Sequence, residues 1–195
     1  MSIIHKVKKV EAVYNLIDKD INRFKKKSGL QCDVDCSKCC LKPGISASIL
    51  ECLPLAFRLY SKGLAKEWLE KARHFETGEN SNCMLFNPAP EATKGNCSEY
   101  EYRPLLCRLF TFSAKMNKYG KPVLVTCSTI KEKYHSRYLK VIKMIETGMK
   151  VPIMKNFFFR LYSIDSTLSQ TQYDINTAIR SAIEEVLLFF LYREK

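Results

Sequence analysis

The sequence has few of the residues on which β-rich folds, histidine metal sites and membrane spans depend. Its 195 residues hold three His, one Trp, seven Gly and seven Pro. So few turn-forming residues argue against an all-β fold with many short strands. The longest apolar run, 186–192, is far shorter than the roughly 20 residues that a membrane-spanning helix needs. The charged first residues are not followed by an apolar stretch, so we expect no secretory signal and a cytoplasmic, reducing location.

The sequence is instead rich in cysteine and in positive charge. Nine Cys stand among 195 residues, and 32 Lys and Arg against 20 Asp and Glu give a net charge of +12. A hydrophobic fraction of 46% is enough for a packed core and excludes a disordered chain. In a reducing compartment, thiols serve as metal ligands or redox groups more often than as structural disulfides. The Cys residues are therefore candidate metal ligands.

The apolar pattern predicts a mainly α fold with a small β-hairpin, in a single domain over residues 1–195. We expect an N-terminal helix within 1–28, a cysteine-cluster metal-binding module over 29–130 and a helical C-terminal region over 131–195. The Cys-rich module is thus expected to be flanked by helices from both ends of the chain.

The N-terminal helix is predicted over residues 2–27, with its end at Ser28-Gly29. Apolar residues recur there at spacings of three and four, which places them on one face of a helix. That face is expected to be buried and consists of Val7, Val10, Tyr14, Ile17, Ile21 and Phe24.

The segment from Ile49 to Phe75 is predicted to be helical in two pieces. Ser48 and Glu51 have the spacing of a capping box at its start. Pro54 can kink or restart the helix, and Gly63 is expected to divide it.

The later chain is predicted to begin with a hairpin around 117–120, flanked by strands over 108–112 and 123–126. A helix is expected near 131–147, followed by an aromatic segment at 157–159. The final amphipathic helix carries an apolar face of Ile175, Ile179, Ala182, Ile183, Val186 and Leu187.

The first group of candidate ligands is bunched in one short segment: Cys32, Cys36, Cys39 and Cys40. Spacings of two and three residues let thiolates from one tight loop converge on a single metal centre. Asp33 and Asp35 in this loop are more typical of solvated carboxylates. Because adjacent residues point in different directions, one of Cys39 and Cys40 is expected to serve this centre while the other faces a second site or the core.

The second group is dispersed and consists of Cys83, Cys97, Cys107 and Cys127. These four thiols could form another tetrahedral set, or they could complete the first one. The ninth thiol, Cys52, lies in a helical apolar pattern and is expected to be a core residue.

A longer pattern runs from Cys97 to Phe110 and has the form C-x-x-Y-x-x-R-P-x-x-C-R-x-F, with Tyr100, Arg103, Pro104, Cys107 and Arg108 in register. The first group precedes this pattern, as does Cys83, which stands before an apolar pair, and a last Cys follows at 127. The whole arrangement resembles the YkgJ family, the zinc- or iron-chelating CxxCxxCC domain. The resemblance covers residues 32–127. It implies metal binding by the eight Cys of the two groups.

The chain departs from that family in the spacing of its first two Cys, because three residues rather than two separate Cys32 from Cys36. This spacing resembles more closely the branch that includes the flagellin lysine methyltransferases, whose Cys cluster is associated with an iron–sulfur centre. The branch implies iron and, by analogy, a role in protein modification. No S-adenosylmethionine pocket is recognisable in the sequence.

The chemistry around Cys107 agrees with a metal site. Four thiolates leave a centre negatively charged, and Arg103 and Arg108 could donate to the sulfurs or offset that charge from outside the ligand shell. The alternative for both arginines is a surface ion pair with Glu99 or Glu101.

Spacing alone leaves the metal open between zinc and iron, because each is held by four thiolates. With the three His remote from the Cys groups in sequence, an all-thiolate site is favoured. Bunched Cys followed by distant partners are more typical of iron–sulfur ligation than of structural zinc. An iron–sulfur cluster of the [4Fe–4S] type is therefore the first choice of cofactor and Zn²⁺ the second, with one or two centres both open.

Two other classes of function share features of this sequence. A radical S-adenosylmethionine enzyme shares the bare spacing of residues 32–39 but needs a long β/α pattern that this sequence lacks. The common catalytic motifs are missing as well, so an enzymatic activity stays open. The alternative to a redox or modification role is a zinc-stabilised basic module that binds nucleic acid or another anionic partner. Its basis is the surplus of five positive charges in residues 1–28 and of six in residues 131–160.

Overall fold

The computed structural model describes residues 1–33, 36–42, 44–75, 82–89 and 95–193. The helices of this part are α1 Ile3–Ser28, α2 Ile49–Ser61, α3 Ala65–Phe75, α4 Leu105–Leu109, α5 Ser128–Lys133, α6 His135–Glu146, α7 Met154–Tyr162, α8 Ser166–Ser169 and α9 Ile175–Leu191. Its strands are β1 Ser46–Ala47, β2 Phe86–Pro88, β3 Gly95–Cys97, β4 Ser113–Met116, β5 Pro122–Val125 and β6 Tyr173–Asp174. They form the antiparallel pairs β1–β6, β2–β3 and β4–β5. The mainly α prediction is confirmed.

The first helix has the buried face that its sequence predicts. All six predicted apolar residues of α1 are buried, among them Tyr14 and Phe24. The helix ends at Gly29, which adopts a left-handed φ of 65° and donates its N–H to the carbonyl of Lys25 at 2.9 Å. Glycine accepts this conformation at low cost, so it stops the helix.

The second and third helices also follow their sequence signals. Ser48 and Glu51 form a complete capping box at the start of α2, and Gly63, with φ 73°, separates α2 from α3. Pro54 lies inside α2, and the helix continues through it without a restart.

The core lies where α2 meets α1 on one side and α9 on the other. Leu53 and Leu59 of α2 and Ile183 of α9 are buried there. At the end of this interface, the rings of Tyr60 and Phe190 stack with centroids 4.1 Å apart. No helix in the described part of the chain is long and apolar enough to cross a membrane.

Two predicted elements differ in the structure. The hairpin turn lies at 117–120, but the strand before it is β4 and not the predicted segment 108–112. Pro104 precedes the short helix α4, and Thr111, with φ 83°, turns the chain before β4 begins. The helix expected near 131–147 is two helices, α5 and α6, which break at Tyr134, where φ is −114° and ψ is 35°. The aromatic segment 157–159 lies in α7.

Candidate metal centre

Seven of the eight candidate ligands line one cavity of about 1160 Å³: Cys32, Cys36, Cys39, Cys40, Cys83, Cys97 and Cys107. The cavity lies between one face of α1, the loop that follows this helix, the β2–β3 hairpin and α4. The eighth, Cys127, stands directly before α5. Cys52 lies in the core with 1% of its surface exposed, as the sequence predicted.

The thiols face this common space without forming a finished binding site. Among the described residues, no three His, Cys, Asp or Glu side chains are grouped closely enough to hold a metal ion as they stand. All nine Cys are free thiols. The arrangement therefore brings the ligands to one cavity, and binding would require the thiols to move together.

The first set of neighbouring thiols surrounds Cys32. Burial raises the pKa of Cys32 to about 11, and the negative charges of Cys36, Cys127 and Cys39 add to this effect. Cys127 belongs to this set although it is almost 90 residues further along the chain.

Two contacts join the Cys32–Cys40 loop to α5, the helix that follows Cys127. Lys38 Nζ donates to Thr129 Oγ1 at 3.3 Å, and Lys133 pairs with Asp33. Asp33 therefore pairs with a lysine in this structure, and Asp35 lies outside the described residues. The two contacts hold Cys127 beside the loop.

The second set consists of Cys83, Cys97 and Cys107. Cys97 ends β3 and pairs with Phe86 of β2, so the hairpin places it near Cys83, three residues before Phe86. Burial raises the pKa of Cys107 to about 12, and the charges of Cys83, Cys39 and Cys97 raise it further. The short helix α4 therefore places Cys107 against the two thiols of the hairpin.

Cys39 and Cys40 lie between the two sets. The thiol of Cys40 donates a hydrogen bond to the sulfur of Cys39, which together with the N–H groups of both residues lowers the pKa of Cys39 to about 6. The same hydrogen bond, with burial, raises the pKa of Cys40. The charges of Cys97 and Cys107 in the second set also raise the pKa of Cys40.

Backbone N–H groups point at several of these sulfurs. The N–H of Leu85 hydrogen-bonds to Cys83 and that of Glu99 to Cys97, and each bond lowers the pKa of its thiol against the larger, opposite effect of burial. Such donors favour the thiolate, which is the form that binds metal. The donor set and its backbone surroundings thus fit a thiolate-bound metal or cluster.

The two predicted arginines have different surroundings. Arg103 donates to the carbonyl of Tyr100 at 2.7 Å, and its positive charge lowers the pKa of Cys39, Cys97 and Cys107 against the effect of burial. Arg103 thus acts on the thiols through its charge.

Arg108 has only 4% of its side chain exposed, and its three nitrogens bind oxygen atoms instead of sulfur. Nη1 donates to Asp18 Oδ2 at 2.6 Å, Nε to the carbonyl of Arg103 at 2.9 Å and Nη2 to the carbonyl of Glu101. The alternative of surface pairs with the Glu99 or Glu101 side chains is not what the structure has, because Arg108 pairs with Asp18 and Glu99 pairs with Arg58.

Asp18 of α1 is a partner of this region that the sequence pattern did not reveal. It faces Arg108 and lies 4.0 Å from Arg103, and it lines the cavity. No local pattern marks it, because its role depends on how α1 packs against α4.

The family model CxxCxxCC, described as a "putative zinc- or iron-chelating domain", matches residues 31–135. The chain belongs to the CxxCxxCC family. The match spans the loop after α1, the β2–β3 hairpin, α4 and the first residue of α6, and it therefore includes all eight candidate ligands. Metal chelation by the CxxCxxCC domain is the property that this membership supports. A search of curated proteins and a search of solved structures both return no significant match.

Proposed function

We propose that the protein holds metal through eight thiols arranged as two four-thiolate centres, at least one of them a [4Fe–4S] cluster. The observation that carries this proposal is the convergence of thiols from four separate segments of the chain on one cavity. A buried thiol that served only as a small apolar residue would need no place on this cavity, and Cys52, which lies in the core, does not line it.

The first proposed centre comprises Cys32, Cys36, Cys39 and Cys127. Its support is the effect of the last three thiols on the pKa of Cys32 and the two contacts that join the loop to α5. Tetrahedral ligation requires four donors, and these are the four that lie at this end of the site.

The second proposed centre comprises Cys40, Cys83, Cys97 and Cys107. Cys40 is assigned here because Cys97 and Cys107 act on its pKa. Cys39 acts on Cys97 and Cys107 and also on Cys32, and it is assigned to the first centre for its effect on Cys32. This partition gives each half of the Cys39–Cys40 pair to a different centre, in agreement with the opposite directions of neighbouring side chains.

Iron–sulfur ligation is favoured over zinc by the bunched spacing of the first Cys group and by the shape of the site. The described residues that line the cavity include seven Cys and no His, and their apolar members include Leu85, Leu106 and Phe110. An apolar wall limits the access of water to a cluster, and Arg103 offsets part of the thiolate charge. When bound, such a cluster supplies one-electron transfer. We infer a cytoplasmic redox role or a supporting role in protein modification.

Metal analysis of single-ligand variants tests the partition. Cys32→Ala should lose the metal of the first centre and keep that of the second, and Cys83→Ala should do the reverse. Cys52→Ala is the matched control, because it removes a buried core thiol that does not line the cavity, and it should keep full metal content. Metal and sulfide are counted per chain after purification without oxygen. A Cys52 variant that loses metal, or a wild-type chain without iron, contradicts the proposal.

A second candidate function is the binding of nucleic acid by a basic surface next to this site. Its residues are Lys26, Lys27, Arg137 and Lys140, all exposed. A Cβ added to Gly29 would lie 2.6 Å from Arg137 Nη2, so the guanidinium of α6 packs directly on the end of α1. Two helices that are far apart in sequence thus join their positive charges, which favours contacts with phosphates.

Binding of a labelled double-stranded DNA at several salt concentrations tests this candidate. Replacing Lys26 and Lys27 by Gln should lower the slope of log affinity against log salt by about two. Replacing Lys8 and Lys9 by Gln removes the same charge from the other end of α1 and should leave the slope unchanged. Equal effects of the two double variants would contradict a defined surface.

A further inference from the structure

Two hydroxyl groups beside the first proposed centre are buried without a partner. Among the described residues, the Oγ atom of Ser37 and the Oγ1 atom of Thr126 are inaccessible to solvent and accept or donate no hydrogen bond. Ser37 has 1% of its surface exposed and still lines the cavity that holds the thiols. Burial of a hydroxyl without a hydrogen bond costs free energy, so such groups call for an explanation.

Each of the two hydroxyl residues is adjacent in sequence to a candidate ligand. Ser37 directly follows Cys36, and Thr126 directly precedes Cys127. Both Cys residues belong to the set around Cys32. Two segments about 90 residues apart thus each bring one unpaired hydroxyl next to a thiol of the same set.

The backbone carbonyl of Ser37 is already paired within the loop. The carbonyl of Ser37 accepts the N–H of Cys40 at 2.8 Å and that of Leu41 at 3.3 Å. This turn fixes Ser37 between Cys36 and Cys39. The lone hydroxyl therefore stands within the loop from which three of the four proposed ligands come.

We propose that Ser37 and Thr126 donate hydrogen bonds to the metal-bound sulfurs of the Cys32, Cys36, Cys39 and Cys127 centre. This inference rests on the proposed function. A neutral thiol is a weak acceptor, whereas a metal-bound thiolate carries negative charge and accepts a charge-assisted hydrogen bond. In the described part of the chain, no sulfur lies within hydrogen-bond reach of either hydroxyl in the metal-free thiol form. The contact forms as the thiols move together around the metal. Ser37 and Thr126 are positioning residues, and their effect is to favour the thiolate over the protonated thiol.

The test uses the reduced full-length chain stripped of its metal, with Co²⁺ alone as the probe. Cobalt bound by thiolates absorbs visible light, and competition with a chelator gives its apparent affinity at pH 7. Ser37→Ala and Thr126→Val should each weaken one of two classes of site by about tenfold, in line with the usual effect of a lost hydrogen bond to a metal ligand. The other class of site should keep its affinity.

Three control variants separate a hydrogen bond from a packing effect. Thr126→Ser keeps the hydroxyl and should bind cobalt as the wild type does. Ser98→Ala and Ser128→Ala each remove a hydroxyl next to a candidate ligand, Cys97 or Cys127, but from an exposed residue, and should also leave the affinity unchanged.

Three outcomes overturn the inference alone: unchanged affinity in Ser37→Ala and Thr126→Val, an equal loss in Thr126→Ser, or an equal loss in the exposed-serine controls. A wild-type chain that binds no cobalt through thiolates overturns the proposed function as well.

Discussion

The carboxylate of Glu51 accepts a hydrogen bond from the backbone N–H of Leu105 at 3.0 Å. The same carboxylate accepts the N–H and the hydroxyl of Ser48, both at 2.9 Å, at the start of α2. Tyr14 of α1 joins this junction, because its hydroxyl donates to the carbonyl of Glu51 at 2.7 Å. One buried side chain therefore connects α2 with the first residue of α4, the helix that carries Cys107.

Replacing Glu51 by Ala should lower the free energy of unfolding by about 3 kcal/mol, because the buried N–H groups of Ser48 and Leu105 lose their acceptor. Denaturant unfolding of the full chain measures the change. Glu70→Ala is the control, since Glu70 is exposed and pairs with Arg73 on the surface of α3, and it should cost less than about 1 kcal/mol. Equal losses in the two variants would contradict the role of Glu51.

The same carboxyl group should make stability depend on pH. Burial raises the pKa of Glu51, against the smaller opposite effect of its hydrogen bonds. The folded chain then holds a proton at pH values where the unfolded chain has lost it, above about 4.3. The contribution of this group to stability therefore falls as pH rises through that window. Unfolding measured from pH 4 to 6 should show a less negative slope in Glu51→Gln than in the wild type, and identical slopes would contradict this assignment.

Arg108 should be the arginine on which the fold depends most. Besides its hydrogen bonds to Asp18 and to two backbone carbonyls, it lies over the ring of Tyr14 at 4.2 Å. Asp18 is 40% exposed, which weakens the ion pair itself, and the buried carbonyls account for much of the expected loss. Arg108→Lys should cost about 2 kcal/mol because an ammonium cannot reach all three oxygens.

The matched control for this prediction is Arg23→Lys. Arg23 is exposed and pairs with Asp20 one turn away, so the change should be close to zero. Thermal unfolding of the two variants and of the wild type measures the loss of stability in each. An Arg108→Lys variant as stable as the wild type would mean that the buried guanidinium contributes only charge.

Local signals in the sequence were sufficient for the elements that depend on local structure. The apolar face of α1, the stop at Gly29 and the capping box of Ser48 and Glu51 are all where the pattern predicted them. The strand predicted at 108–112 was wrong because the helix α4 after Pro104 and the left-handed φ of Thr111 were not recognised. The break at Tyr134 was missed because the apolar period continues across it.

The candidate site could be predicted as a set of residues but not as an arrangement. Spacing identified the eight thiols, and it left the number of centres open because Cys39 and Cys40 are adjacent. The neighbours of Cys127 depend on contacts between α5 and the loop, such as Lys38 with Thr129, that no local pattern records. The pairing of Arg108 with Asp18 likewise follows from the packing of α1 on α4.

The thiols of the metal-free chain should differ strongly in reactivity. The hydrogen bond from Cys40 and backbone N–H groups lower the pKa of Cys39, whereas burial raises the pKa of Cys107 to about 12. A brief exposure to iodoacetamide at pH 7 should therefore alkylate Cys39 before Cys107. Peptide mass analysis gives the order of modification. Prior modification of Cys107 would contradict the described surroundings of the pair.

Iron, zinc and sulfide counted per chain in full-length wild-type protein purified without oxygen is the measurement that tests the central claim most directly. The account predicts a coloured protein with about four iron and four sulfide for each cluster. A colourless protein with one or two zinc ions would retain thiolate chelation but contradict the iron–sulfur assignment. Protein that contains neither metal and takes up neither on reconstitution would contradict the whole account.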